Sequence, residues 1–449
     1  MSRFANSAAV RPTGDHRRFR FCSVSPRATA ALLVVLCGVS AAWSQEAKAL
    51  FFQAGMRLSS DVVSSPVSGT IAGGGYRAEL SNGVARVPLV VVGGKPYEMG
   101  WHIGQLLRPE IRRFVPAAAA AFMKRLGVTA EELSDVWKST APFTDDRFEQ
   151  ELLGLSDGSG VPLATLQQVH CLPLLLPYSC SSVAAWGKAT RDGHLYHTRD
   201  LDWDLEVGAH EFPVVLVFVP ERGTAHAVPS FAGFIGAHCG MNAAGISLAE
   251  MGDSPSKEAP YNVRAPHFTT WFRRVLRDAD SLTDALAVFR EQPMTKRYHF
   301  VFGDGRKEHR AVKIRAHSPE APADRVRIWT GNDPDDELAP KVLPDVVYQD
   351  EGRGAYPVLR EHHGKIDART MVDLCNRLPI KGSNVMNAVF DATGQRIWVS
   401  YASGDMEAYK RPYVLVELNR LDGDRDGIPD LKEGAGDRDG DGRPDFLDP

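Results

Sequence analysis

Cys180, Arg199 and Asp202 bring a thiol, a guanidinium and a carboxylate into one short stretch of chain. The run from Cys180 predicts a strand over Ser182 to Trp186. Asp192-Gly193 between β-prone residues predicts a tight hairpin turn, and the second strand ends on Arg199 and Asp202. If Cys180 becomes the first residue of a chain, its own α-amine, with an ordinary pKa of about 7.7 to 8.0, suffices as the base for its thiol. Arg199 then holds the thiolate or a substrate oxygen by charge-assisted hydrogen bonds, and Asp202 orients the α-ammonium.

Further motifs follow in order: Cys180-Ser181-Ser182, Thr190-Arg191-Asp192-Gly193, Arg199-Asp200-Leu201-Asp202, Gly240-Met241-Asn242-Ala243-Ala244-Gly245 and Thr330-Gly331-Asn332-Asp333-Pro334. With these the chain resembles the N-terminal nucleophile (Ntn) hydrolases, in the branch of acyl-coenzyme A:6-aminopenicillanic acid acyltransferase, penicillin V acylase and bile salt hydrolase. The resemblance spans roughly residues 85 to 420. It implies an α+β fold, the αββα sandwich of two antiparallel sheets with helices on both outer faces. It also implies Cys180 as nucleophile, Arg199 and Asp202 lining the site, Asn332 in the oxyanion hole and no cofactor for catalysis. Asp200 stands where that family has Asn, Gly331 interrupts the Thr-Asn turn, and Glu250-Met251-Gly252 occupies the region of a second oxyanion residue.

The elements that must position these residues are legible in part. Helices are expected over Gln105 to Leu126, from the capping box Thr129-Ala130-Glu131-Glu132 onward, over Asp145 to Leu155, Phe268 to Ala279, Leu282 to Glu291 and Ala368 to Leu378. Strands are expected at Pro213 to Val219, Thr224 to Val228, Gly245 to Met251, Tyr298 to Phe302, Ala311 to Arg315, Val326 to Thr330, Met386 to Phe390, Arg396 to Tyr401 and Tyr413 to Leu418. Strand blocks separated by helix blocks suit two packed sheets with helical covers.

A net charge of -4 gives no reason to expect a nucleic-acid partner. Residues 29 to 44 follow a basic segment, are too short to span a membrane comfortably and end in Ala42-Trp43-Ser44, so 1–44 reads as a signal peptide of an exported protein. Residues 45–84 read as a poorly ordered lead-in and 85–420 as the catalytic domain, with 85–179 as its pro-part. Cys171, Cys239 and Cys375 then allow at most one disulfide beside the nucleophile. His238-Cys239, adjacent on a strand, point to opposite faces and make no nucleophile and base pair.

Residues 421–449 carry a separate signal. Asp422, Asp424, Asp426, Asp430 and Glu433 occupy positions 1, 3, 5, 9 and 12 of a loop with Gly427 at position 6, the register of an EF-hand-type calcium loop. Asp437, Asp439, Asp441, Asp445 and Asp448 repeat it fifteen residues on. Without long flanking helices the tail resembles thrombospondin type 3 repeats, with Ca2+ in a structural role. The expected activity is hydrolysis of, or acyl transfer from, a non-peptide amide of a small N-acylated molecule. The alternative is a catalytically silent Ntn scaffold acting as a calcium-dependent surface-binding protein.

Overall fold

The computed structural model describes residues 73–175, 179–203, 205–252, 262–291, 294–316, 326–336, 339–350 and 352–449. The expected signal peptide and most of the expected lead-in lie outside them. Among the described residues no helix is long and apolar enough to cross a membrane.

The architecture is the αββα sandwich. One sheet has nine strands in the order β1 (Gly75–Ser81), β2 (Arg86–Gly94), β5 (Pro213–Pro220), β6 (His226–Phe231), β7 (Cys239–Asn242), β8 (Ile246–Gly252), β9 (Tyr298–Asp304), β10 (Arg310–Ala316) and β11 (Val326–Trp329). The other has six, β12 (Val346–Gln349), β3 (Ser179–Ala185), β4 (Tyr196–Asp202), β13 (Asn384–Asp391), β14 (Arg396–Tyr401) and β15 (Val414–Glu417). Every pairing is antiparallel except that of β2 with β5, so the larger sheet departs from the purely antiparallel expectation at that one pair. A parallel pair needs a crossover, and the chain from Lys95 to Phe212 supplies it with helices and the β3–β4 hairpin.

Helices Pro96–Leu106, Phe268–Asp278 and Leu282–Arg290 pack on the nine-stranded sheet, and helix Ala368–Cys375 packs on β4 and β13 of the other. Covered on both faces, β2 is apolar along Val87–Val92 and β13 is buried throughout. Helix Pro96–Leu106 lies against helix Asp146–Ser159 at very short range: a Cβ on Gly100 or Gly154 would overlap the backbone carbonyl of Glu151 or Tyr97.

Two boundaries differ from the sequence reading. β1 lies inside the segment read as lead-in, yet it belongs to the sheet, pairing with β2 along its whole length from Gly75↔Val92 to Ser81↔Arg86. Nor is the tail after residue 420 detached. Leu421, Phe446 and Leu447 are buried in the common core, and Asp430 accepts a hydrogen bond from the Tyr76 hydroxyl at 2.6 Å.

Candidate functional site

The β3–β4 hairpin carries the site. Gly193, at φ +79°, supplies the left-handed backbone its turn requires, and the strands then pair in the register Ser179↔Asp202, Cys180↔Leu201, Ser181↔Asp200. Because side chains alternate across a strand, Cys180 and Arg199 share the face toward the nine-stranded sheet, while Asp200 and Asp202 share the face toward helix Ala368–Cys375. The strand is longer at its start than expected, and that extension brings Cys180 into the ladder.

Cys180 is fully buried, with the Arg199 guanidinium within hydrogen-bonding reach of its thiol. Arg199 is itself fully buried; it donates to the Asp200 carbonyl at 2.9 Å and to Glu250 Oε2, on β8, at 3.4 Å. Glu250, which sequence alone left in the place of an oxyanion residue, is therefore the counter-ion of Arg199. Burial pushes the Cys180 thiol up to about 11; Arg199 pulls against it, and Glu250 and Asp202 add to it. In the uncut chain the thiol is a neutral group.

On the other face Asp202 is held from three sides. Its Oδ2 accepts from Arg353 Nη1 at 2.9 Å and from the Ile380 backbone N–H at 2.8 Å, and its Oδ1 from Asn384 Nδ2 at 3.1 Å. Burial lifts its carboxyl to about 6 against these partners. Arg353 Nη2 also donates to the Cys180 carbonyl at 2.9 Å, so a single guanidinium ties the Cys180 backbone to the Asp202 carboxylate.

The four residues singled out from sequence are thus not one cluster. Cys180, Arg199 and Asp202 are brought together. Asn332 instead clasps β12, its Nδ2 donating to the Val346 carbonyl at 2.8 Å and its Oδ1 accepting from the Tyr348 N–H at 3.3 Å. β12 is the neighbour of β3, pairing Tyr348 with Val183, so the Asn332 amide acts on the strand beside the one that carries Cys180. Sequence reasoning missed Glu250, Arg353 and Asn384. For Arg353 the only local signal was its place in the Gly352-Arg353-Gly354 turn.

Beside Arg199 and Glu250 lies a cavity of about 50 Å³, its lining nearly all apolar. Phe114, Phe122, Phe231, Phe234 and Phe268 line it, with Leu172 from the segment just before the hairpin. His238 also faces it and is kept neutral, its imidazole lowered to about 3 by burial and by Arg199.

In the tail every loop contact occurs twice. Asp422 accepts from the N–H groups of Arg425 and Gly427, and Asp437 from those of Gly440 and Gly442; Asp430 accepts from Gly423, and Asp445 from Arg438. Carboxylate oxygens of Asp422, Asp424 and Asp426 lie within 4.8 Å of one another, as do those of Asp437, Asp439 and Asp441. The position-9 residues Asp430 and Asp445 hold loop backbone, and Asp430 also takes the Tyr76 hydroxyl, which differs from the ligand role expected of them. Asp424 Oδ2 and Glu433 Oε2 are enclosed without a hydrogen-bond partner among the described residues.

No protein-family profile matches the chain. It is 27% identical to Protein dcd1B of Dictyostelium discoideum over 397 residues, covering 77% of this chain and 76% of that protein. It is 23% identical to Protein dcd1A of the same organism, covering 74% of this chain and 85% of that one. Among solved structures, the Caenorhabditis elegans N-acylethanolamine-hydrolyzing acid amidase ortholog overlaps 53% of this chain and all of its own, at 15% identity and a TM-score of 0.36.

Proposed function

We propose that the chain is a cysteine amide hydrolase or acyltransferase of the Ntn type, freeing its nucleophile by cleavage between Ser179 and Cys180 and acting on small N-acylated molecules. The observation that carries this reading is the register of the hairpin. Ser179 stands opposite Asp202, so an α-ammonium born at Cys180 arises beside the one carboxylate that Arg353 joins to the Cys180 carbonyl.

For the cut itself, Sγ adds to the Ser179 carbonyl carbon, the peptide C–N bond breaks, and water hydrolyses the thioester, leaving a free amine on Cys180. In turnover the α-amine accepts the thiol proton and the thiolate attacks the substrate carbonyl. The tetrahedral oxyanion forms next to Arg199, and the departing nitrogen takes the proton back as the C–N bond breaks. Water or a second amine then resolves the thioester. The apolar cavity suits an apolar acyl group, since desolvating aromatic walls favour hydrocarbon by about 25 cal/mol per Å² buried.

Because the thiol of the uncut chain is neutral and buried, alkylation supplies the test. Iodoacetamide at pH 7.5 should label Cys180 slowly in uncut protein, and at least about tenfold faster after cleavage, with loss of amidase activity in step. Equal labelling of both forms would remove the α-amine from the mechanism.

For the tail we propose two structural calcium ions, one per aspartate triad, with Glu433 completing the first. The unpartnered oxygens of Asp424 and Glu433 and the hardness of an all-carboxylate set suit that cation. Burial, then the neighbouring aspartates, lifts the Glu433 carboxyl to about 7, so protons compete with the metal, and affinity should weaken as pH falls from 7.5 to 5.5. Calorimetry should find dissociation constants of about 0.1 to 1 mM at pH 7.5. Heat identical in wild type and in a Glu433→Gln, Asp424→Asn double variant would exclude the first loop.

A further inference from the structure

Two nitrogens on residues that line the cavity are left without hydrogen-bond partners. His238 is 6% exposed, and its Nε2 is enclosed with no hydrogen bond among the described residues. Arg199 lines the same cavity: its terminal nitrogens serve the Asp200 carbonyl and Glu250, and its Nε is enclosed with no acceptor among the described residues. β7 and β8 bring the two together. The Glu250 N–H donates to the His238 carbonyl at 3.2 Å, beside the Cys239↔Ala249 rung, so His238 stands opposite the residue that pairs with Arg199. The imidazole is also stacked on Phe231, with ring centres 6.2 Å apart and planes at 10°.

Apart from Glu250, the rest of the lining is aliphatic or aromatic. A polar nitrogen left unmatched in such a wall is destabilising until a ligand group answers it. The chemistry of that group follows from the two nitrogens. Arg199 Nε can only donate, so the group must accept; a neutral imidazole donates through one nitrogen and accepts through the other, so Nε2 can be met in either tautomer by a group that does both. A hydroxyl does both, and hydrocarbon does neither. Charged groups fit less well, because an anion would face Glu250 and an ammonium would face Arg199, which already counter each other.

We propose that Arg199 and His238 bind a hydroxyl carried on the acyl chain of the substrate, near its carbonyl, so that the enzyme takes hydroxyacyl amides in preference to plain acyl amides. This deepens the reading of Cys180 as nucleophile and of the cavity as acyl pocket, and rests on it. Leu201, which shares a rung with Cys180, also lines the cavity, so a chain seated there starts beside the thiol. His238 is a specificity determinant and moves no proton in the reaction. The cavity is small, about 50 Å³, so short acyl chains are the fitting probes.

The test compares the N-(3-hydroxyhexanoyl) and N-hexanoyl amides of one amine, with the full chain and with His238→Phe, which keeps a ring against Phe231 and removes both nitrogens. In wild type the hydroxylated amide should be favoured at least about tenfold in kcat/KM, and in His238→Phe the ratio should fall to within about twofold of one. A purely structural role would lower both substrates together and leave the ratio where it was; that result overturns the proposal, as does a wild-type ratio near one. Calorimetry on the Cys180→Ala chain with 3-hydroxyhexanamide and hexanamide separates the hydroxyl site from the reading beneath it. If the hydroxylated amide binds more tightly, and loses that advantage when His238→Phe is added, while wild type turns over no amide, the assignment of Cys180 fails and the hydroxyl site stands. Equal binding of the two amides, or none, overturns the hydroxyl site even where wild type cleaves itself and other amides.

Discussion

Replacement of Cys180 by alanine is expected to leave the chain uncut and to lower amide turnover by about 10⁴-fold or more, the largest effect of any single change in the site. The reasons are cumulative. The thiol lies within reach of the Arg199 guanidinium, and on the proposed mechanism the amine that serves as base would exist only after that thiol had opened the bond before it. The variant should nonetheless fold, because Cβ retains the packing of the β3 position and Arg199 keeps Glu250 as its counter-ion. Intact mass spectrometry reads the outcome: wild type yields a fragment of 270 residues running from Cys180 to Pro449, and the variant does not. A Cys180→Ala protein that is cut at the same bond would mean the scission is done by another protease and says nothing of Cys180.

Glu151→Ala is expected to cost about 3 to 5 kcal/mol of stability, the largest structural effect among substitutions outside the site. Glu151 is fully buried on helix Asp146–Ser159 and is paired with Arg277 and, at 2.8 Å, with Arg273, both on helix Phe268–Asp278. Arg273 is committed further: Nη1 donates to the Ile235 carbonyl at 2.6 Å, Nε to His226 at 3.1 Å, and its guanidinium stacks 3.5 Å from the centre of the Phe218 ring. Removing the carboxylate leaves two buried cations facing each other with nothing between them, whereas an apolar replacement of all three would not carry that penalty. Urea unfolding of the uncut Cys180→Ala background isolates the effect from cleavage. A loss under about 1 kcal/mol there would mean that water reaches the pair. Since Glu151 precedes Cys180 and both arginines follow it, the same substitution should let the fragments of a cut protein separate during gel filtration.

What could be read beforehand follows from how local each signal is. The pairing of β3 with β4 was legible because Asp192-Gly193 lies between β-prone residues, but the tight turn was not: the connection from Trp186 to Leu195 contains a 3-10 turn at Gly187–Ala189 and is held by Ile366 and Asp345. Strands β5, β8, β9, β10 and β14 were found within about two residues of their ends for the same reason. β7 and β12 were not, being four residues each and made into strands by their ladder partners. β1 was hidden by the glycines before it, although its pairing with β2 is complete. The partners of the charged residues lie far off in sequence: Glu250 is 51 residues from Arg199, and Arg353 is 151 from Asp202. No spacing rule spans such distances. Asn332 shows the converse, since a turn-forming Asn fits a family motif and a strand clasp equally well, and its hydrogen bonds here are those of the clasp.

The docking of the tail has a consequence for how the molecule comes into being. β1 is an outer strand of the nine-stranded sheet, and the Tyr76 hydroxyl on it donates to Asp430; the backbone of Gly93 on β2 is covered by Phe446. Tyr76 and Asp430 stand 354 residues apart in sequence, so the latch joins a strand made early to turns made late. Until residues 430 and 446 are in place, a buried phenol lacks its acceptor and the backbone of Gly93 lacks its cover. A chain truncated before the tail would keep the β3–β4 hairpin and leave β1 unlatched, a form that quality-control proteases can distinguish from the longer one.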